Sequence, residues 1–373
     1  MPLVAFHEPL GHGHGPNLVD GLAAAALDEG WDVVVFTKEP DPARMIDRRV
    51  RFSFVDRLTD RAYSLTRGRH FADVGRRVVQ LEPDLFVGLA FDQVVNSPTC
   101  PRPPPIPSVQ VMHSMHHVRA RLPRPRSRMR ASVARRNVSR TVRGGSAVVV
   151  HSRVVRDEIA SIVGGSGSVH EVPWPVASRL ARFAEPHPTD RRLLFCGTTT
   201  NGKGFETLVA ALDLIRAPLV LEFTSEQPSD ALRAVQATSN RVVHPQSWSD
   251  SDAYHAAYSR AMVAVLPYES VVRPGYVSGT LLDVLVHRVP AVISDALAGL
   301  LPVGYRAVLT FPQGDPRALA RSIDEAFERH EELVAAADIP SRQLLDEHSY
   351  ERYFQALVGC GRGGSPGPDP MPR

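Results

Sequence analysis

Lysine is nearly absent from this chain of 373 residues. Lysine and arginine together number 43, yet lysine occurs only at Lys38 and Lys203. The basic positions are therefore filled almost wholly by arginine, and a lysine retained against this background is a candidate for a specific role. Lys203 stands in the stretch 193-LLFCGTTTNGKGFETLVAALDLI-215.

Cysteine is also scarce, and its spacing excludes two classes of protein. Cys100, Cys196 and Cys360 are odd in number, far apart and without a CxxC pair. A small disulfide-stabilised domain and a structural zinc site both need paired, closely spaced thiols. The three cysteines therefore favour a reducing compartment, and we expect a cytoplasmic protein.

Long hydrophobic runs and an export signal are missing as well. No apolar stretch approaches the roughly 20 residues that cross a bilayer. The opening MPLVAFHEPLG lacks the basic residues and long apolar segment of a signal peptide. It predicts the first strand of a fold.

Acidic residues are absent from one long segment, 117-HVRARLPRPRSRMRASVARRNVSRTVR-143, which carries ten arginines. The net charge of the whole chain is only +3, so the excess is local. The segment is either a solvated helix face with a polar loop, or a patch that attracts phosphates or an anionic membrane. It lacks interleaved aromatic residues, so we expect no nucleic-acid binding. We also expect Pro123 and Pro125 to interrupt any helix there.

The pattern of strands and helices predicts an α/β protein with two domains. A short apolar run ends in the glycine loop GHGHGPN, a helical pattern follows, and 31-WDVVVFT-37 is a β-branched run typical of a buried parallel strand. This alternation recurs through both halves of the chain. We predict an N-terminal Rossmann-like domain at 1–178, a linker at 179–192 and a second Rossmann-like domain at 193–345. A helix at 346–359 is expected to pack back on the first domain, with a disordered tail at 360–373.

Lys203 is expected at an edge where such domains bind ligands. The strand LLFCG leads through TTTNGKG into a helix, so Lys203 comes just before the free N–H groups of the helix start. The helix dipole already favours an anion there, and an ammonium group suits a phosphate. The alternative is a solvated lysine in a turn.

A second candidate site lies in 267-PYESVVRPGYVSGTLLDVLVHRVPAVIS-294. Here Ser278, Gly279 and Thr280 lead into a helix, and small residues let a ligand approach backbone amides closely. The alternative for Ser278 is a simple helix cap, which is compatible with anion binding. We place Asp283 on the first turn of the helix, either to accept hydrogen bonds from sugar hydroxyls or to complement the helix dipole.

These motifs, taken in order, resemble the GT-B glycosyltransferases, in particular the large retaining family 4, which uses nucleotide sugars. GTTTNGKGFETLVAALDLI and SGTLLDVLVHRVPAVIS resemble the donor-binding half of those enzymes. GHGHGPNLVDGLAAAALDEGWDVVVFT, SVQVMHS and SAVVVHSRVVRDEI resemble their N-terminal half. The resemblance covers nearly the whole chain. It implies two tandem Rossmann-like domains facing a central cleft.

The resemblance assigns residues to the donor diphosphate. The family pattern G-R-x-x-x-x-K-G reads here as 197-GTTTNGKG-204, so Gly197 and Lys203 match while Thr198 stands where the family has arginine. Arg273 is our candidate to replace that arginine. Ser278, Gly279 and Thr280 would supply backbone amides to the phosphates.

The family also has two glutamates separated by seven residues. Asp283 occupies the second position, which contacts the donor ribose, but Gly275 stands at the first. The loop before Asp283 is about four residues longer than usual in the family, so Glu269 is our candidate for the missing acid and is counted with the catalytic residues.

In the N-terminal half, the resemblance assigns His113 a place near the sugar at the reaction centre. His116 and His117 stand close by in sequence, so the three histidines could instead line a polar loop. The resemblance also assigns a ligand-closing glycine loop, made of Gly11, Gly13 and Gly15 with His12 and His14 between them.

The function implied is retaining transfer of a sugar from a nucleoside-diphosphate sugar to an acceptor hydroxyl. No metal and no cofactor are expected, because Lys203 and helix N-termini would stabilise the leaving diphosphate. Three alternatives stay open: an epimerase or phosphorylase of the same architecture, a nicotinamide-dependent oxidoreductase, and a non-catalytic nucleotide-sugar binding protein. The glycine loop GHGHGPN lacks the third glycine of a dinucleotide fingerprint, which disfavours the oxidoreductase.

The acceptor is open between a lipid-linked molecule and a soluble one. Related enzymes that act on lipid-linked acceptors use a basic N-domain segment at anionic membranes. We therefore expect a cytoplasmic protein for which residues 117–143 offer a peripheral contact with the inner face of the membrane. The base of the nucleotide, the sugar and the oligomeric state do not follow from the sequence.

Overall fold

A computed structural model describes residues 1–9, 14–37, 50–54, 60–95, 97–98, 100–113, 125–165, 167–176, 191–195, 202–216, 218–224, 242–246, 251–269, 277–302 and 304–364. Within these ranges the side chains of 14–17, 52, 54, 60–67, 125–127, 224, 242–246 and 251–255 are outside the description. The chain divides into two units. The N-terminal unit is Met1–Pro175 with His348–Pro372, and the C-terminal unit is Val176–Glu347.

The N-terminal unit is built on a parallel sheet whose described strands follow the order β3-β2-β1-β4-β5-β6-β7. The apolar runs of the sequence form these strands because both faces of the sheet are covered. The strands are β1 (Leu3–Glu8), β2 (Asp32–Thr37), β3 (Arg51–Phe54), β4 (Leu85–Gly88), β5 (Ser108–Val111), β6 (Ala147–Val150) and β7 (Val169–Glu171).

Four helices and one short 3-10 helix connect these strands in the described residues. They are α1 (His14–Asp28), α2 (Asp60–Leu81), a 3-10 helix (Phe91–Gln93), α3 (Pro125–Arg143) and α4 (Arg153–Val163). Side-chain capping and glycine set the bounds of α4: the Ser152 hydroxyl accepts from Val155 N, and Gly164 ends the helix at φ +82°.

Pro125 corrects one prediction. It does not interrupt α3 but begins it, at the first helical position, where the missing N–H has no helical partner to lose. Pro123 lies outside the described residues.

The end of the chain packs on the N-terminal unit as helix α11 (Tyr350–Gly361). Phe354 contacts Phe6 and Trp31, with ring centroids 6.3 and 5.5 Å apart. The Tyr350 ring lies over Gly21 of α1 so closely that a Cβ at Gly21 would come within 2.4 Å of it. Glycine is therefore required where these two helices meet.

The C-terminal unit has a second parallel sheet, with the described strands in the order β10-β9-β8-β11-β12-β13. These strands are β8 (Arg192–Phe195), β9 (Val220–Thr224), β10 (Val242–Gln246), β11 (Val263–Leu266), β12 (Ala291–Ser294) and β13 (Val308–Phe311).

The described helices of this unit are α5 (Phe205–Leu212), α6 (Ser251–Arg260), α7 (Gly279–Val286), α8 (Asp295–Ala298), α9 (Pro316–Glu328) and α10 (His330–Glu347). One face of the sheet and the apolar faces of α5 and α9 form a common core, in which Phe195, Phe205 and Phe223 contact one another. None of the described helices is both long enough and apolar enough to cross a membrane.

Two parallel sheets interleaved with helices confirm the predicted α/β class with two Rossmann-like domains. The pattern of 229-SDALRAVQATS-239 also predicts a helix, and these residues lie outside the described residues, as do 365–373 of the predicted tail. The C-terminal helix begins at Tyr350, and residues 346–347 belong to the preceding helix α10.

Candidate functional site

The strand order of the C-terminal sheet places two candidate segments side by side. In the sheet, β9 lies on one side of β8 and β11 lies on the other. The chain adds β9 and β10 on the first side and then β11 to β13 on the second, so the direction in which strands are added reverses between β8 and β11. Ligands of open α/β sheets bind at such a reversal, beyond the carboxyl ends of the strands. Lys203 follows β8, and Ser278 follows β11. Both candidates therefore belong to the edge where this fold binds ligands.

The turn that carries Lys203 is docked on the chain that follows β11. Gly202 and Gly204 flank the lysine at φ +90° and +71°, a region that glycine adopts without strain. A Cβ at Gly204 would lie 1.7 Å from the carbonyl oxygen of Pro267. The amide of Glu269 donates to the Gly202 carbonyl at 3.0 Å. The two segments thus fix each other's backbone.

The ammonium group of Lys203 lies against an aromatic ring. Its Nζ is 3.7 Å from the centroid of Tyr268, whose side chain is fully buried. The Ser294 hydroxyl donates to the Tyr268 carbonyl at 2.7 Å, which anchors the ring's backbone. Burial lowers the pKa of Lys203 from 10.5 to about 8. A cation–π contact makes up for only part of the lost hydration, so the site favours an anion beside the ammonium.

Ser278 is the helix cap that the sequence allowed as an alternative. Its hydroxyl accepts from Leu281 N at 3.2 Å, and α7 begins at the next residue, Gly279. The cap uses the third N–H of the helix. The N–H groups of Gly279 and Thr280 have no acceptor within the helix by its geometry. Capping and anion binding are therefore compatible at this N-terminus.

Asp283 is not on the first turn of α7, where we predicted it. The helix begins at Gly279, so Asp283 is its fifth residue and lies on the second turn, partly buried. An acid complements the helix dipole within the first turn, so that explanation of Asp283 loses its support.

Glu269 is tied to the Lys203 segment. The hydroxyl of Thr207, on the first turn of α5, donates to the Glu269 carboxylate. The Glu269 amide also donates to the Gly202 carbonyl. The backbone and the carboxylate of Glu269 are therefore both held by the turn and the helix that follow β8. The acid therefore lies in the same neighbourhood as Lys203.

Several predicted residues lie outside the described part of the chain, and two others belong to a helix. Gly197, Thr198, Arg273, Gly11, His12 and Gly13 lie outside the described residues. His14 and Gly15 are the first two residues of α1, so they belong to the helix start and not to the loop before it.

His113 lies at the carboxyl edge of the N-terminal sheet, two residues beyond β5. It is exposed, and its Nε2 donates to the carbonyl of Leu89, which follows β4. Since a carbonyl only accepts, Nε2 carries the proton in this contact. The contact also fixes the ring at this edge of the sheet.

His151 and Trp174 complete an aromatic group around His113, and the sequence analysis missed both. The His151 ring stacks on His113, with centroids 5.5 Å apart and an interplanar angle of 19°. Trp174 meets His113 edge-on at 5.0 Å. Burial first, then the His113 charge, lowers the pKa of His151 to about 3, so this ring is neutral. A repeat could have revealed it: 108-SVQVMHS-114 and 146-SAVVVHS-152 each end a strand with His-Ser.

A second buried histidine pair lies at the end of β1. Nε2 of His7 is 3.1 Å from Nε2 of His70 on α2, and both rings are almost inaccessible to solvent. Burial, with a smaller contribution from His70, lowers the pKa of His7 well below 6.5. His7 therefore stays neutral immediately before the glycine loop.

Solved glycosyltransferase structures resemble this chain over nearly its whole length. Sucrose-phosphate synthase from Thermosynechococcus elongatus has a TM-score of 0.68 at 17% identity, with 96% of each chain covered. HepE from Anabaena, in complex with UDP and glucose, has a TM-score of 0.66 at 13% identity, covering 96% of this chain and 97% of its own. This chain has the GT-B fold. Starch synthase IV of Arabidopsis thaliana, whose catalytic domain was solved with ADP and acarbose, is a further GT-B relative, with a TM-score of 0.63 at 12% identity and coverages of 97% and 99%.

No protein-family model matches the sequence, and no curated protein matches it. At identities of 12 to 17% the GT-B likeness establishes the fold. The chemistry has to be argued from the residues.

Proposed function

We propose that the protein is a glycosyltransferase that moves a sugar from a nucleoside-diphosphate sugar to an acceptor hydroxyl, with retention of configuration and without a metal ion. A GT-B fold hosts other reactions, so the fold alone does not carry this conclusion. The conclusion rests on the residues that follow the carboxyl ends of β8 and β11 in the C-terminal unit, which we call the β8–β11 edge.

The observation that most strongly supports this proposal is the environment of Lys203. Its ammonium lies 3.7 Å from the Tyr268 ring, and burial is the cause of its lowered pKa. Among the described residues no carboxylate lies within ion-pair distance of it. A partly desolvated cation without an acidic partner is unfavourable in a ligand-free protein, and it persists where a ligand supplies the anion.

The ligands of the GT-B relatives support a nucleotide-linked donor. HepE was solved with UDP and with UDP-glucose, and starch synthase IV with ADP. In this chain, Lys203 and the first N–H groups of α7 would hold a diphosphate. Asp283, further along α7, would contact the ribose.

The mechanism follows from where charge develops. As the bond between the sugar and the diphosphate breaks, negative charge grows on the leaving phosphate, and preorganised cations and amides stabilise it without reorganisation. Lys203 and the N-terminus of α7 would supply this stabilisation in place of a metal. Glu269 is our candidate to orient the sugar. Retention, with the acceptor hydroxyl attacking the face that the phosphate leaves, is supported by the resemblance to family 4.

The pH dependence of donor binding should report on Lys203. The protonated amine binds the diphosphate, so affinity is full below pH 8 and falls as the pH rises through the folded pKa of about 8. The ligand-free protein should show the opposite trend. The pKa of Lys203 is lower in the folded state than in the unfolded state, so the unfolded chain binds more protons. The free energy of unfolding therefore rises between about pH 8 and pH 10.5.

Calorimetric titration of the matching nucleoside diphosphate from pH 7 to pH 9.5 tests this dependence. Lys203→Arg is the control, because a guanidinium stays protonated over the whole range. A wild-type affinity that is flat across this range would contradict the role of Lys203.

Turnover tests the proposed reaction itself. Release of nucleoside diphosphate from a panel of sugar nucleotides should be slow in water and should rise when an acceptor is added. An epimerase would change the sugar nucleotide without releasing nucleotide, and a phosphorylase would need inorganic phosphate.

Chelation by EDTA should leave the rate unchanged, and NMR of the product should show the anomeric configuration of the donor. An inverted product would refute retention.

A further inference from the structure

Two backbone contacts hold the turn around Lys203 against the segment that follows β11. A Cβ at Gly204 would lie 1.7 Å from the carbonyl oxygen of Pro267, so only glycine fits against it. The amide of Glu269 donates to the Gly202 carbonyl at 3.0 Å. The first contact joins positions 204 and 267, and the second joins 202 and 269, so the two segments pass each other in opposite directions. The residues at 203 and 268 are therefore held opposite each other.

The aromatic ring of Tyr268 lies at the centre of this arrangement. The side chain is fully buried, and the backbone carbonyl of the same residue accepts a hydrogen bond from the Ser294 hydroxyl at 2.7 Å. Nζ of Lys203 lies over the ring, 3.7 Å from its centroid, well within the roughly 6 Å that defines a cation–π contact. Because interiors are closely packed, the ring cannot move away from the ammonium without disturbing the core around it.

The ring covers one side of the ammonium group and leaves the rest accessible. Lys203 is only half-buried, and it lies at the β8–β11 edge, where sheets of this class bind their ligands. A lysine side chain has four rotatable bonds and loses rotamer freedom when it is fixed on an anion. A contact that already restricts the side chain in the ligand-free protein reduces this loss.

We propose that Tyr268 is the positioning residue of the donor site, whose ring holds the Lys203 ammonium where the diphosphate of a sugar nucleotide binds. The ring and the diphosphate flank the ammonium at the same time. A cation placed in advance needs no rearrangement as negative charge grows on the leaving phosphate. This inference rests on the proposed function, because Tyr268 acts through Lys203 at the same site.

Fluorination of the ring separates positioning from simple packing. Cation–π attraction comes from the negative charge on the ring face, which fluorine atoms withdraw while the shape of the ring changes little. At pH 7, Tyr268→Phe should bind the nucleoside diphosphate with an affinity within about twofold of the wild type, because it keeps the ring face. A trifluorinated phenylalanine at the same position should bind it roughly fivefold more weakly than phenylalanine does. A ring that only fills the core would give equal affinities.

A double-mutant cycle tests whether Tyr268 acts through Lys203. Tyr268→Leu should weaken binding of the nucleoside diphosphate roughly 5- to 30-fold in the wild type. It should cause no further loss in Lys203→Met, which has no ammonium to position. Tyr258→Leu is the matched control, since it removes another buried tyrosine of the same unit and should lower stability without changing affinity. Equal losses of affinity in the two backgrounds, or a fluorinated ring that binds as tightly as phenylalanine, would overturn the proposal.

NMR of the ligand-free protein measures the contact without any nucleotide. The chain has only two lysines, so isotope labelling of lysine at Cε gives two signals, and Lys203→Met assigns them. The Hε protons of Lys203 should be shifted upfield by the ring current of Tyr268, and Tyr268→Leu should remove this shift. Absence of the shift in the wild type would overturn the positioning role. Absence of nucleotide binding would instead refute the proposed function, so the two failures are distinct.

Discussion

Replacing Lys203 with methionine should weaken donor binding strongly while making the ligand-free protein more stable. The variant loses a charge-assisted contact to the diphosphate, which we expect to weaken nucleotide binding by about 2 to 3 kcal/mol, or roughly 30- to 150-fold. It also removes an ammonium whose pKa burial lowers to about 8. After allowance for the partial exposure of Nζ, stability at pH 7 should rise by on the order of 1 kcal/mol.

The opposite signs of these two effects make the test specific. A lysine that serves the fold would lower stability when removed, whereas one held for a ligand would raise it. Thermal unfolding with and without nucleotide measures both effects. Arg321→Met, an exposed cation on α9 of the same unit, is the matched control and should change neither. If Lys203→Met destabilises the protein and leaves nucleotide binding intact, the lysine is structural.

Replacing Gly204 with alanine should destabilise the C-terminal unit by about 2 to 5 kcal/mol. Its φ of +71° is unfavourable for alanine by about 1 to 2 kcal/mol. The added Cβ would lie 1.7 Å from the Pro267 carbonyl oxygen, so the turn or the segment after β11 must move. Overpacking of this kind adds about 1 to 3 kcal/mol. Because Lys203 and Tyr268 are held by these segments, nucleotide binding should weaken as well.

Gly314 provides the control for backbone conformation alone. Its φ is +75°, and a Cβ there would meet no atom within 4 Å. Gly314→Ala should therefore cost only about 1 to 2 kcal/mol and leave nucleotide binding unchanged. Denaturant unfolding of the two variants gives the comparison. Equal losses would mean that the contact between Gly204 and Pro267 contributes nothing to the site.

The periodicity of the sequence was enough to predict the architecture. Runs such as 31-WDVVVFT-37 form strands buried on both faces, and their regular alternation with helices specifies parallel sheets. The position of Lys203 also followed from local pattern, because a strand, a glycine turn and a helix come in immediate succession. Local signals of this kind act within a few residues and need no knowledge of the rest of the fold.

The contacts that give the site its character join residues distant in sequence. Lys203 meets Tyr268, and Thr207 meets Glu269 across 62 positions. Strand order and register decide which residues after β11 contact which residues after β8. Propensity and spacing rules do not predict these contacts. The same reason hid Trp174, which reaches His113 only because β7 lies beyond β6 in the sheet.

Helix starts were the weakest part of the local prediction. Asp283 falls just beyond the first turn of the helix, because Ser278 caps the helix and Gly279 begins it. Pro125 begins α3 instead of breaking it, since its ring suits the first helical position. Both errors concern one or two residues, yet each changes the role that a side chain can have.

The central claim is that the β8–β11 edge binds a nucleoside diphosphate through Lys203. The most direct measurement is thermal unfolding of the wild type and Lys203→Met with UDP, GDP, dTDP, ADP and NAD(H). We predict that one nucleoside diphosphate, at about 100 times its dissociation constant for the wild type, stabilises the wild type by about 2.7 kcal/mol and the variant by less than about 1 kcal/mol. Stabilisation by none of the nucleoside diphosphates, or equal stabilisation of both proteins, would contradict the account.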